Sequence, residues 1–318
     1  MKLLITGGSG FLGANTARYF SKNKDFSITI ESRKKHKELS NKIKACKFIR
    51  INWNSDIDIK KKIRNFDYII HYAGLNSQDC EKDIFKAREF NLFLTEKIFK
   101  YAIKSKIKKF IFISSAHVYG NSLKNKVDEN TIPFPTSNYG LIKLITEKKL
   151  LDLYHNSEKS VDLIILRVSN VYGSPVLVDT NVWQLVFLDF AKQAVESNKI
   201  KINGNPYIRR NFLPMRQYLE ILKYIITKKK KFKNTYILNI GSSWSPTIHE
   251  VAKRIQSRFE KIYLKKIEII KNNKNYEKNE NIEYKSNSNL LKKNKKEDIN
   301  INNEIDSLLY YCNEMINL

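Results

Sequence analysis

Tyr139 and Lys143 stand four residues apart in Tyr139-Gly140-Leu141-Ile142-Lys143, and on a helix that spacing puts the phenol and the ammonium on one face. A tyrosine with its ordinary pKa of about 10 is a poor base at neutral pH, and a neighbouring cation favours its phenolate. The pair reads as an acid/base tyrosine tuned by a lysine. Alone it is a weak signal, because the chain holds 17 tyrosines. A second group strengthens it. The strand-like run Phe110 to Ser114 leads into Ser114-Ser115-Ala116-His117-Val118-Tyr119-Gly120, which places hydroxyls at the carboxyl end of a strand, where α/β sheets bind ligands. His117, with an ordinary pKa of about 6.5, either does acid/base work itself or shapes the pocket.

The glycines point to what such a site would work with. The chain has 10 of them, against the roughly 7% of average usage. Four fall in Thr6-Gly7-Gly8-Ser9-Gly10-Phe11-Leu12-Gly13. Gly7, Gly10 and Gly13 have the spacing in which one glycine makes a tight turn, one admits a pyrophosphate to the backbone and one lets helix and strand pack closely. Glu31, about twenty residues on, ends a second strand-like run, where a carboxylate accepts the adenosine ribose hydroxyls of NAD. Arg33, Lys34 and Lys35 follow at once and would suit the extra phosphate of NADP. NAD is the favoured cofactor, with NADP left open.

Stepping outward, these residues need a parallel sheet to hold them. Strand-like runs at Lys2–Thr6, Phe26–Glu31, Lys47–Ile51, Asp67–Tyr72, Lys109–Ser114 and Val161–Val168 alternate with helical stretches near Ile57–Arg64, Ile84–Ser105 and Ser137–His155. That alternation predicts an α/β fold, a Rossmann-type doubly wound parallel sheet. After Gly173 the rhythm changes. A helix over Val182–Ser197, a strand at Lys199–Ile202, an arginine-bearing loop at Tyr207–Phe212 and a further strand at Ile267–Ile270 predict a smaller mixed α/β substrate domain. The expected division is 1–173 and 174–318, with the second region either separate or interleaved with the first.

Composition excludes several classes. An apolar fraction of 42% is too high for a wholly disordered chain, and no run approaches the roughly 18 apolar residues of a membrane span. Three cysteines far apart, in no metal-ligand spacing, predict neither disulfides nor a metal site and suit a cytoplasmic protein. Lysine plus arginine number 58 against 32 acidic residues, a net charge of +26. The excess is spread along the chain and dominated by lysine, so it reads as a solvated surface, not a nucleic-acid interface.

The ordered set formed by the glycine loop, His71-Tyr72-Ala73-Gly74-Leu75, Asn91, Ser115, the Tyr139/Lys143 pair, Leu166-Arg167-Val168-Ser169-Asn170-Val171-Tyr172-Gly173 and Leu238-Asn239-Ile240-Gly241 resembles the extended short-chain dehydrogenase/reductase family, in particular its nucleotide-sugar epimerases and reductases. The resemblance covers nearly the whole chain and implies roles. Tyr139 would be the acid/base on a sugar hydroxyl, Lys143 would hold the nicotinamide ribose, and Ser115 would bind the reacting oxygen. Phe11 and Leu12 would cover the pyrophosphate. Tyr72, Ala73 and Gly74 would line the cofactor trough, and Asn91 would be a structural or cofactor contact. Asn170 would touch the sugar-nucleotide phosphate. Arg210 would grip the diphosphate, although Arg210-Asn211-Phe212-Leu213-Pro214-Met215 departs from the family's Arg-Asp-Phe/Tyr-Ile/Val-His-Val at the aspartate and the histidine. Near the adenine, Asn52-Trp53 replaces an aspartate and an aliphatic residue. Asn52 can still bond the adenine amino group, and Trp53 either packs on the ring or belongs to the core. Related 4,6-dehydratases carry an Asp-Glu pair where this chain has Ala116 and His117, which disfavours elimination. The expectation is an NAD(P)-dependent epimerase or reductase of a nucleotide sugar, in polysaccharide precursor synthesis, with a homodimer paired through Ile84–Ser105 and Ser137–His155. A dehydratase, and a non-catalytic dinucleotide- or nucleic-acid-binding protein, are the alternatives.

Overall fold

The structure of the protein is a computed structural model that describes residues 1–32, 37–120, 125–157, 161–227, 237–272, 274, 276, 282–284 and 297–316. Seven strands form one wholly parallel sheet: β1 (Lys2–Thr6), β2 (Ser27–Glu31), β3 (Cys46–Ile49), β4 (Tyr68–His71), β5 (Lys109–Ser115), β6 (Asp162–Val168) and β7 (Ile237–Ile240). Their order is β7-β6-β5-β4-β1-β2-β3. The direction of winding reverses between β1 and β4, so right-handed crossovers put helices on both faces and leave a ligand crevice at the carboxyl ends of those two strands. Buried on both faces, β5 is apolar for most of its length and has no exposed residue.

The chain divides into two compact units. The first comprises Met1–Ser122, Glu129–Val168 and Leu222–Ile240, and the second Leu123–Asp128, Ser169–Ile221 and Gly241–Leu318. The first contains the sheet, and its largest core cluster gathers Leu4, Ile59, Ile69, Phe99, Phe110 and Ile165 among others. The second contains three two-stranded parallel pairs, Asn170–Tyr172 with Phe212–Pro214, Lys199–Ile202 with Glu268–Lys271, and Asn125–Val127 with Ile282–Tyr284. Tyr172 stacks on Phe187 at 3.9 Å between ring centroids, and Phe212 meets Phe187 edge-on at 5.0 Å.

Three expectations need correction. The single helix expected over Ile84–Ser105 is three pieces: Ile84–Ala87, a π-helical turn at Arg88–Phe93, and Leu94–Lys104. The seventh strand, Ile237–Ile240, extends the sheet on the far side of β6, in register with Ile165–Val168. The helix expected from Val182 begins at Val186.

Candidate active site

Five chain segments meet at the carboxyl edge of the sheet in the first unit. β1 ends in Gly7, whose φ of +65° suits glycine, and a Cβ there would lie 2.7 Å from the Ala73 nitrogen. Gly10 turns back to donate to the Gly7 carbonyl at 3.0 Å. It is the N-cap of helix α1 (Phe11–Phe20) and brings no capping side chain. The first-turn amides of a helix have no acceptor within it, and the helix dipole adds partial positive charge there. A Cβ on Gly13 would sit 2.4 Å from the Gly7 carbonyl oxygen. The loop is therefore held against the helix start with no room for a side chain at Gly7 or Gly13, which is the shape a pyrophosphate needs. Phe11 and Leu12 are half-buried in that turn, and Glu31 is buried at the end of β2. Arg33, Lys34 and Lys35 lie outside the described residues.

The Tyr72–Leu75 segment is pinned from two sides. Tyr72 hydrogen-bonds Thr16 of α1 at 2.7 Å between hydroxyls. The buried Asn91 amide accepts from the Leu75 nitrogen at 2.5 Å and donates to the Leu75 carbonyl at 3.0 Å, while a Cβ on Gly74 would meet Asn91 Oδ1 at 2.9 Å. Asn91 thus spends its side chain on the loop. Its own carbonyl accepts from Thr95 at 2.9 Å and Thr146 at 3.2 Å, on two different helices. Because the Thr95 hydroxyl donates to Asn91, it accepts from His71 Nε2, 2.9 Å away, and His71 Nδ1 accepts from Thr6 at 2.7 Å. Burial, reinforced by the Lys143 charge, lowers the His71 pKa to about 3, so the ring is neutral and, with Nε2 donating, Nδ1 is the acceptor.

Ser115 closes β5, and Tyr139 and Lys143 lie on the helix Asn138–His155. Ser115 lies close enough to Tyr139 for its side chain to favour the phenolate. Ser115 Oγ also accepts from the His117 nitrogen at 3.2 Å, capping the turn Ala116–Tyr119. The His117 ring stands edge-on to Tyr139 at 5.7 Å. Its carbonyl oxygen would lie 2.5 Å from a Cβ on Gly140, so the glycine after Tyr139 lets the helix approach that turn. Lys143 donates to the Ile113 carbonyl at 2.8 Å and sits 5.7 Å from the Tyr139 ring centroid. Burial lowers its pKa to about 8 against the opposing pull of Cys80 and Glu147. The expected sign at Tyr139 is reversed: burial, with Cys80 beside it, pushes the phenol up to about 12, and the Ser115 side chain only partly offsets this. Lys143, expected from its spacing to lower the phenol's pKa, does not govern it; desolvation does.

Other candidates fall elsewhere. Trp53 packs against the main core cluster of the first unit, and its carbonyl accepts from Lys97 at 3.0 Å. Asn52 is exposed, its side chain accepting from Asn54 at 3.2 Å. In the second unit Asn170 donates to the Asn211 carbonyl at 2.9 Å, and Arg210 is exposed, its nitrogen bonded to the Pro246 carbonyl at 3.1 Å. Asn211 explains one departure from the family motif. It donates to the Ser242 carbonyl at 2.8 Å and to Ser245 Oγ at 3.0 Å, and a carboxylate can donate to neither. Thr6, His71, Thr95, Glu147 and Arg167 all escaped the sequence reading as site-building residues. His71 stood inside a quoted motif, and Glu147 one further turn along from Lys143, but only contacts reveal their roles.

Residues 3–241 match the NAD dependent epimerase/dehydratase family. Among curated proteins, the dTDP-D-glucose 4,6-dehydratase of Dictyostelium discoideum is 28% identical over 278 residues, 80% of this chain and 61% of that protein's length. An uncharacterized UDP-glucose epimerase of Bacillus subtilis is 26% identical over 267 residues, 80% of this chain and 81% of its own. The solved UDP-glucuronic acid 4-epimerase of Bacillus cereus, in complex with UDP-glucuronic acid and NAD, superposes with a TM-score of 0.81 at 23% identity, covering 99% of this chain and 100% of that one. The last likeness establishes the fold.

Proposed function

The chain belongs to the NAD dependent epimerase/dehydratase family, and from that premise we propose that it is an NAD-dependent epimerase of a nucleotide-activated sugar. The observation that carries this reading is the juxtaposition of Ser115, Tyr139 and Lys143 at the sheet edge that also bears the glycine cradle. A binding module has no need of that combination. The cradle fits a dinucleotide: side-chain-free turns at Gly7 and Gly13, an uncapped helix start at Gly10 and a carboxylate at Glu31. NAD, when bound, supplies the hydride chemistry at a sugar carbon.

The chain's own residues do the rest. Tyr139 takes and returns the proton of the sugar hydroxyl, Ser115 holds that oxygen, and Lys143 orients the ribose and favours the phenolate when both are engaged. With the phenol resting near pKa 12 and the ammonium near 8, both hold their protons at neutral pH, so proton transfer depends on how substrate and cofactor engage them. Phe11, Leu12 and Tyr72–Gly74 line the cofactor. His117 either transfers protons at a sugar carbon or orients the hydroxyl beside Tyr139.

The curated relative in Dictyostelium is a dehydratase, which favours elimination as the second reading. Ala116 and His117 offer no carboxylic acid at the positions where such enzymes use one. The discriminating experiment assays the chain and Tyr139→Phe against UDP-glucose, UDP-glucuronic acid and dTDP-glucose, with products identified by NMR. Interconverted 4-epimers, lost in Tyr139→Phe, are the expected result. Release of a 4-keto-6-deoxy sugar would establish the dehydratase, and no turnover of any of the three would refute the enzyme reading for this panel.

A homodimer is part of this proposal. Phe85, Phe93, Leu141 and Ile145 are apolar and between 42% and 77% exposed, and Leu141 and Ile145 share one helix face. A cytoplasmic location and a place in polysaccharide precursor synthesis complete the reading.

A further inference from the structure

Two consecutive serines of β5 face the same helix at points two turns apart. Ser115 lies beside Tyr139, and Ser114 Oγ donates to the Glu147 carboxylate. Glu147 lies one turn beyond Lys143 on the helical face that carries both proposed catalytic residues. The carboxylate is 1% exposed, and Arg167 of β6, itself 3% exposed, grips it with a fork: Nε within 3.1–3.2 Å of both oxygens and Nη2 at 2.7 Å from one. Arg167 is the register partner of Ser114 in the sheet.

The fork reaches one residue further. Arg167 Nη1 donates to the Tyr119 hydroxyl at 2.7 Å, and Tyr119 donates to Asn239 Oδ1 of β7 at 2.9 Å. Tyr119 ends the turn that carries His117. Each residue assigned to the chemistry therefore has a neighbour in the network: Ser114 beside Ser115, Tyr119 two residues past His117, Glu147 one turn from Lys143.

Stability is a poor explanation for this arrangement. Dehydrating two charges costs about what their attraction returns, and well-packed apolar replacements of buried ion pairs are often neutral or stabilising. What the charges supply is direction. Beyond the Lys143 bond to the Ile113 carbonyl, helix Asn138–His155 meets the sheet largely across apolar contacts, which tolerate sliding. A bidentate pair has one geometry.

We propose that Glu147, held by Arg167, is a positioning residue that fixes the axial register of the Tyr139 helix against the end of β5, so that the Ser115 and Tyr139 hydroxyls stay aligned. The proposal rests on the assignment of the chemistry to those two residues. Its role is exerted through Ser114, Tyr119 and the helix, with no contact to substrate.

The test separates position from stability. In the Glu147→Met/Arg167→Met double variant, the expected outcome is a melting temperature close to that of the unaltered protein. With it should come a kcat lower by on the order of 100-fold at a little-changed KM for the sugar nucleotide, since misplacement by about 1 Å costs that much. A kcat within threefold, with the melting temperature kept, overturns the proposal. Should the double variant not fold, Ser114→Ala decides the matter. It removes one hydroxyl, and about tenfold lower kcat is expected at unchanged melting temperature; an unchanged kcat refutes the tether. If the unaltered protein turns over no nucleotide sugar, the substrate reading fails by itself. The register claim is then read by amide hydrogen exchange over residues 138–142, expected to be faster in Ser114→Ala, with equal rates overturning it.

Discussion

The helices Phe11–Phe20 and Ile248–Tyr263 begin in opposite ways. At the second, Thr247 Oγ1 accepts from the Glu250 nitrogen at 3.1 Å and the Glu250 carboxylate accepts from the Thr247 nitrogen at 2.7 Å, a closed capping box. At the first, Gly10 stands at the N-cap without a side chain, and Gly7 and Gly13 clear the space in front of it. One helix completes its own amides. The other forgoes roughly 1 kcal/mol of capping and leaves donors for an anion. In a chain with only 10 glycines, a glycine rather than a Ser or Asp stands at that end, as the proposed dinucleotide site requires.

Breaking the contrast from the glycine side has the largest expected effect. In Gly13→Ala the new methyl meets backbone atoms that have no rotamer to escape into, so dinucleotide affinity measured by calorimetry should fall at least about 100-fold, about 2.7 kcal/mol. Affinity within threefold would show that the cradle is not where the pyrophosphate lies.

The Thr6–His71–Thr95 joint behind the cradle gives the next effect. Its folded-state pKa, near 3, lies below the ordinary 6.5, so protons bind the unfolded chain more readily. The stability this supplies is complete above pH 6.5 and is lost as the pH falls from there toward 3, by up to about 1.4 kcal/mol per unit. Urea unfolding between pH 7 and 5 should show this slope, and His71→Gln should flatten it; an equal slope in the variant would assign the effect elsewhere.

Making the first helix resemble the second is a sharper, smaller change. A Cβ on Gly10 meets just the Gly7 carbonyl, at 3.3 Å. Gly10→Asp should therefore fold, cap the helix and repel phosphate, lowering NAD affinity about tenfold with no loss of melting temperature. The converse, Thr247→Ala, should cost about 1 kcal/mol of stability and leave NAD affinity unchanged; coupling between the two would dissolve the contrast.

Much of this was legible in residue order. Lys2–Thr6 is a strand from end to end as expected, the boundaries of the other five expected strands moved by one or two residues, and the glycine loop lies between strand and helix. What escaped detection was non-local. The π-helical turn at Arg88–Phe93 keeps the apolar pattern of an ordinary helix, while its Asn91 carbonyl serves two threonines, Thr95 and Thr146, the second on another helix. Ile237–Ile240 is four residues long, too short to declare a period; the open edge of β6 makes it a strand. Glu147 in sequence is one more charge on a lysine-rich helix, and folding buries it against Arg167.

The sequence by itself determined the parallel sheet, the glycine loop between strand and helix and the placement of Tyr139 and Lys143 one turn apart on a helix, because those follow from local periodicity, glycine stereochemistry and fixed helical spacing. Tertiary structure alone decided what those groups are: a phenol raised to about 12 where a neighbouring lysine was expected to lower it, a lysine near 8, and a histidine held neutral. Proton affinity depends on the water each group loses and on the partners brought to it from distant parts of the chain, and both come into being only when β1, β4, β5 and the Tyr139 helix pack together.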